Sequence, residues 1–245
     1  MTRARALRRA WRVLVHMLAG LAEIVLRFPR LPQAQRDLRV QAWASEMIQH
    51  LGIDLRVSGP VPVTGPLLLV ANHISWLDIV VLHAAQHCRF VSKAAVQRWP
   101  LIGTLATGAG TLYIQRESRR DALRLVHHMA QALKDGDILA VFPEGTTGDG
   151  HGLLPFHANL LQAAIATYAP VQPVALRYID AATGAHSQAM SYIGDETLVG
   201  SIWRTLCATG LRADVVFGEP QMAEGRDRRT WADALRQAII ALLGS

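Results

Sequence analysis

A chain of 245 residues with 51% hydrophobic content suits one large domain, or a domain with an appendage, and can bury a full core without disulfide or metal staples. Its formal net charge of +6 calls for an acidic partner; 6% aromatic residues and no aromatic-rich basic module argue against nucleic acid and for membrane lipid or a phosphorylated carrier. The two cysteines, Cys88 and Cys207, show no metal spacing and imply a reducing compartment without a disulfide framework.

The chain opens with Arg3, Arg5, Arg8, Arg9 and Arg12, followed by an apolar run from Val13 to Leu26 and then by Arg27 and Arg30. That run is shorter than the roughly 20 residues of a spanning helix, and it carries His16 and Glu23. A basic start before an apolar run also suits a secretory signal, but Glu23 and Arg27 occupy the place of a small-residue cleavage site. The segment therefore reads as retained and lying in the cytoplasmic interface, its arginines against anionic headgroups at about 1 kcal/mol each. After Leu31-Pro32 a second helix runs from about Gln33 to Leu51, with Val40, Trp43, Ala44, Met47 and Ile48 forming a packing stripe. Residues 1–50 are thus expected to be membrane-associating helices, and residues 51–245 an α/β domain.

Within that domain Leu55 to Pro60 reads as a short strand and turn, and Pro66 to Ala71 as a strand buried on both faces. Asn72-His73-Ile74-Ser75-Trp76-Leu77-Asp78 converts it into a helix with a wide apolar face. Further strands are expected at Arg89–Lys93, Gly110–Arg116, Ile138–Phe142, Val171–Arg177 and Leu211–Phe217. Helices are expected from Ser118, as N-cap, to about Lys134, from His157 to Tyr168, over 196–209 and over 228–243. Alternating strands and helices imply a mixed, mostly parallel sheet flanked by helices.

Candidate chemistry sits at strand ends, where active sites of α/β proteins collect. His73 falls in the turn before a helix and Asp78 in its first turn, so the carboxylate can fix the tautomer and leave the other ring nitrogen as a general base. Ser75-x-x-Asp78 equally fits a helix start in which both side chains only satisfy backbone donors. Glu144-Gly145-Thr146 follows a buried strand in a loop that is either an anion-binding nest or plain turn chemistry. Arg116 and Lys93 end strands, where each either grips an anion or is a solvated edge charge. Pro173 inside a strand marks an edge, a bulge or a shaped pocket wall. His83 and His87 stand at i, i+4 on a helix without the glutamate of a His-Glu-x-x-His site, and His127-His128 reads as surface. Hydrolase elbows, Walker loops and dinucleotide fingerprints are absent.

Taken in order, these elements resemble the glycerophospholipid acyltransferases typified by 1-acylglycerol-3-phosphate O-acyltransferase, over about residues 55–180. Asn72 to Asp78 is similar to the family's Asn-His-x-x-x-x-Asp block, Gly110 to Arg116 to the block ending in arginine, Phe142 to Thr146 to the third, and Val171 to Val174 to the fourth. The resemblance implies acyl transfer from acyl-CoA or acyl-carrier protein to a lyso-lipid hydroxyl, with His73 as base, Asp78 orienting it, no acyl-enzyme, no metal and no cofactor beyond the donor. It implies acceptor binding by Arg116, Glu144, Gly145 and Thr146, to which Lys93 and Thr147 are added as candidates. Thr147 stands where lysophosphatidate acyltransferases usually carry arginine, and Glu-Gly-Thr-Thr is similar to relatives acting on lyso-ornithine lipid and other lysophospholipids. Such an enzyme is expected at the cytoplasmic face of the inner membrane; the sequence carries no signal of oligomeric state. The rival readings are a non-catalytic lipid-binding module and a metal-dependent hydrolase built on His83 and His87.

Overall fold

A computed structural model describes residues 2–115 and 119–244. Among these residues seven strands, β1 (Ile53–Ser58), β2 (Leu67–Ala71), β3 (Arg89–Lys93), β4 (Leu112–Ile114), β5 (Ile138–Val141), β6 (Val171–Asp180) and β7 (Leu211–Phe217), form one sheet in the order β1-β7-β6-β2-β5-β3-β4. All pairings are parallel except β6 with β7. This is the mixed, mostly parallel sheet expected from the alternation of elements.

β2 occupies the middle of the sheet and is buried at every position. Its side chains alternate between layers, as a pleated strand requires. Leu67, Leu69 and Ala71 join the core under α1 (Thr2–Leu26), α2 (Gln33–Leu51), α3 (Leu77–Ala85) and α8 (Leu198–Cys207). Leu68 and Val70 join the core under α6 (Arg119–Lys134), α7 (Gln162–Thr167) and α9 (Arg228–Gly244). Two short helices, α4 (Ala94–Gln97) and α5 (Ile102–Gly108), connect β3 to β4. Ser118, expected to cap α6, lies outside the described residues.

Of the three readings of Pro173 the edge is excluded, since β6 lies between β2 and β7, while the bulge agrees with the pairing: Val171 lies opposite Gln221 and Pro173 opposite Gly218, one extra residue on the partner. The ladder tolerates it because β7 ends there. A residue's N and C=O point to the same side of a strand, and Pro173 O accepts from Gly218 N at 2.8 Å, just past the end of β7. The missing donor would have served Gly218 O. The fully buried Gln172 supplies it instead, its Nε2 donating to Gly218 O at 2.8 Å and to Pro60 O at 2.7 Å.

Candidate active site

Where β2 ends, the side chain of Asn72 extends the ladder by one rung toward β6. Its Nδ2 donates to Leu176 O at 3.0 Å and its Oδ1 accepts from Leu176 N at 2.7 Å. The main chain is thereby free to turn away from the sheet at His73. The loop after β5 then holds that residue from both sides: His73 N donates to Glu144 Oε1 at 2.8 Å, and Gly148 N donates to His73 O at 2.7 Å.

The His73 ring stacks on Phe142, with centroids 4.1 Å apart and planes 10° from parallel. Its Nδ1 lies 2.7 Å from Asp78 Oδ2. Asp78 is fully buried, and the same oxygen accepts from Ile74 N at 2.7 Å and Ser75 N at 2.9 Å. Asp78 therefore does not serve backbone donors alone: it contacts the imidazole and also satisfies two backbone donors before α3. Ser75 Oγ in turn accepts from Leu77 N at 3.2 Å. The other carboxylate oxygen, Oδ1, accepts from Tyr178 Oη on β6 at 2.5 Å. Burial, and then the Asp78 charge, push the Tyr178 hydroxyl well above the ordinary tyrosine range, so it remains a donor.

Tyr178 escaped the sequence reading. It lies past the last recognised block, and a tyrosine in a strand is ordinary packing material. Its placement on the same sheet face as Leu176 is the one signal available, because i, i+2 spacing sets it beside the partner of Asn72.

An ionised carboxylate accepts, so His73 Nδ1 carries the proton and Nε2 keeps its lone pair. The ring is 19% exposed, and Nε2 makes no hydrogen bond within the described residues. The arrangement is an oriented imidazole with one basic nitrogen open to a ligand, at the carboxyl end of the central strand.

A family model described as Acyltransferase matches residues 53–177, from β1 into β6. Over 252 aligned residues the chain is 38% identical to the lyso-ornithine lipid O-acyltransferase of Pseudomonas aeruginosa, covering 100% of this chain and 96% of that protein. This chain belongs to the acyltransferase family. The acyltransferase is also 36% identical to the 1-acyl-sn-glycerol-3-phosphate acyltransferase of Neisseria gonorrhoeae, over 85% of this chain and 82% of that one. Its fold is shared with the crystal structure of the 1-acyl-sn-glycerophosphate (LPA) acyltransferase PlsC from Thermotoga maritima, at a TM-score of 0.66 and 19% identity, covering 96% and 97% of the two chains.

In this acyltransferase the Glu144 carboxylate is 5% exposed and both its oxygens are engaged, Oε1 by His73 N and Oε2 by Leu154 N at 2.8 Å. Burial raises its pKa above the ordinary value, against the lowering effect of those two donors. The geometry makes Glu144 a clamp on the His73 loop. Gly145 sits at φ +72°, a left-handed conformation that strains other residues, and its N donates to Phe142 O at 3.1 Å to close the turn. Thr146 is exposed and Thr147 half-buried on the same loop. Lys93 is exposed at the end of β3, in register with Ile114, the last residue of β4. Arg116 lies outside the described residues.

The His83/His87 pair takes another role. His83 is buried against Phe90, with rings 4.9 Å apart, and burial followed by the neighbouring His87 lowers its pKa to about 3. His87 Nε2 pairs with Asp37 Oδ1 at 3.1 Å. Among the described residues these two form no three-ligand cluster. His127 and His128 are exposed, as expected.

Proposed function

We propose that this enzyme moves a fatty acyl group from a thioester, acyl-CoA or acyl-carrier protein, to the hydroxyl of a lyso-lipid, with His73 as general base. The reading is carried by the 2.7 Å contact between His73 Nδ1 and the buried Asp78, which leaves Nε2 open. Nε2 takes the hydroxyl proton as the oxygen attacks the thioester carbonyl. Asp78 stabilises the imidazolium, the tetrahedral intermediate collapses, and the departing thiolate recovers the proton. The acyl group passes directly to the acceptor, so no acyl-enzyme forms. His73→Ala is expected to reduce turnover by at least about 100-fold, the usual worth of a positioned base. A folded variant keeping most of its turnover refutes the mechanism.

For the acceptor, lyso-ornithine lipid is supported by the full-length similarity to the Pseudomonas protein and by Thr147 in place of arginine. Lysophosphatidate is the second reading, favoured by the Neisseria relative. Arg116, Lys93, Thr146 and Thr147 are the proposed acceptor-binding groups, with Gly145 shaping their loop. Turnover of the two acceptors side by side on one preparation decides between them.

We also infer that residues 1–50 hold the enzyme on the cytoplasmic face of the inner membrane. Among the described residues no helix is long and apolar enough to cross a bilayer. α1, however, has two apolar faces. Ala6, Ala10, Val13 and Met17 pack against the core, while Leu7, Trp11, Leu14, Leu18 and Val25 lie exposed along the other side. That stripe, with Arg3, Arg8 and Arg12 exposed beside it, suits the interface of an anionic bilayer. Because the inner face belongs to the core, point changes test this better than truncation. Trp11→Glu with Leu14→Glu is expected to abolish co-sedimentation with anionic liposomes; unchanged co-sedimentation counts against the reading.

A further inference from the structure

Away from His73, α1 and α2 bring together a second group of chemically capable side chains. His16 of α1 is only 9% exposed. Its Nε2 lies 2.9 Å from Trp43 O, and Trp43 Nε1 donates to His16 O at 3.2 Å. A carbonyl only accepts, so Nε2 carries the proton and Nδ1 keeps its lone pair. The two rings stack with centroids 5.2 Å apart and planes 10° from parallel, which fixes the direction of that lone pair. Gly20, one turn further along α1, allows the close approach: a Cβ there would lie 2.5 Å from Trp43 Nε1.

The lone pair faces two residues one turn apart on α2. Glu46 Oε2 lies 3.6 Å from His16 Nδ1, too far for a hydrogen bond. The His50 ring is 4.9 Å from that of His16, and the His50 side chain makes no hydrogen bond within the described residues. Ligand atoms of all three residues lie within 4.8 Å of one another, the one such group among the described residues.

We propose that His16 Nδ1, the Glu46 carboxylate and a His50 ring nitrogen bind one divalent transition-metal ion of the zinc class, with solvent in the fourth position. Two neutral imidazoles and one carboxylate form a donor set that zinc favours. The Nε2–H of His16 on a backbone carbonyl is the outer hydrogen bond that metal-binding histidines almost always make. Tetrahedral coordination at about 2.0–2.1 Å places donors roughly 3.3 Å apart, close to the 3.6 Å between His16 Nδ1 and Glu46 Oε2, and rotation of the half-buried His50 side chain would bring in the third donor. Arg12, whose charge is felt at His50, opposes a cation, and Glu46 offsets it. The ion would clasp α1 to α2 and take no part in chemistry at His73.

The test uses the full chain without a histidine tag, stripped with a chelator and titrated with Zn²⁺ against a chromophoric competitor. One Zn²⁺ per chain is expected, with binding at least about ten-fold weaker in His50→Ala and in Glu46→Gln, since losing even an outer partner costs 10–100-fold. Both positions are part-exposed, so these variants should fold, which circular dichroism checks. At 100-fold saturation the wild-type melting temperature should rise by about 5–10 °C and that of His50→Ala should not. His151→Ala, which removes a ring from the separate His151/His186 pair, should leave binding intact. Equal affinity in wild type and His50→Ala, loss of binding in His151→Ala instead, or no stoichiometric binding overturns the proposal.

Discussion

Replacing Tyr178 by phenylalanine removes one oxygen and tests whether the carboxylate behind His73 is held as the geometry indicates. Asp78 is fully buried; among the described residues Oδ2 has three donors, but Oδ1 accepts from the Tyr178 hydroxyl alone. A hydrogen bond to a buried charged group contributes about 1.5–3 kcal/mol. For a chain of this size that corresponds to a fall in melting temperature of roughly 3–12 °C. The ring remains and fills the same space, so the cost should be electrostatic rather than one of packing. With one oxygen freed, Asp78 is less firmly fixed toward Nδ1, and kcat should fall by about 5–20-fold, or 1–2 kcal/mol of the transition state, with KM for the acyl donor unchanged. The wild-type hydroxyl also fixes a pH dependence. Its folded pKa is raised above the ordinary 10.0, so its stabilising contribution is complete below pH 10.0 and is lost as pH rises above it. Thermal melts with steady-state kinetics, run on both proteins, check all three. A variant as stable and as active as wild type would show that Oδ1 is adequately solvated without Tyr178, and the inferred network would be wrong.

Glu144→Gln leaves one oxygen and an amide that cannot accept, stranding His73 N or Leu154 N at about 1–3 kcal/mol; kcat should drop with little change in KM for the acceptor, since the clamp acts on His73. Asn72→Ala strands both Leu176 N and Leu176 O, and chemical unfolding should report a loss of roughly 2–6 kcal/mol at 1–3 per group. His83 has a pKa lowered from 6.5 to about 3, so it favours the folded state above pH 6.5 and withdraws that support as pH falls toward about 3. Its own contribution should decline by up to about 1.4 kcal/mol per pH unit in that window, and His83→Leu should flatten the urea-unfolding stability profile there by that amount.

Much of this fold is legible in the sequence because local signals and burial agree. The uniformly apolar Leu67–Ala71 is the central strand, and α2 runs over Gln33–Leu51 as its stripe predicts. Helix and strand ends were less legible where the chain is irregular. The helix expected over His157–Tyr168 is a 3-10 turn at Ala158–Leu161 followed by α7, and of the strand expected over Gly110–Arg116 the described residues form β4 at Leu112–Ile114. At the site, spacing allows His73 to pair with Asp78 but equally allows a plain helix cap, and it is the resemblance of the whole block that favours the pair. Glu144, Asn72 and Tyr178 act across loops and strands, and no local pattern encodes a hydrogen bond between residues 71 to 104 positions apart. Pro173 stays open among edge, bulge and pocket wall for a similar reason: what tolerates it depends on where a different strand ends.

The convergence of three donors on Asp78 Oδ2 gives the five-residue interval between His73 and Asp78 a mechanical meaning. The oxygen meets the backbone of Ile74 and Ser75 and the ring of His73, so it spans donors three, four and five residues behind it. The interval works as a ruler: one residue more or fewer would rotate the carboxylate off the chain that it closes. A glutamate in place of Asp78 would overshoot the same three donors by a methylene. The stack on Phe142 and the contact with Asp78 Oδ2 hold the imidazole from two directions. In the proposed mechanism the thioester and the alcohol would therefore meet an imidazole that is already oriented.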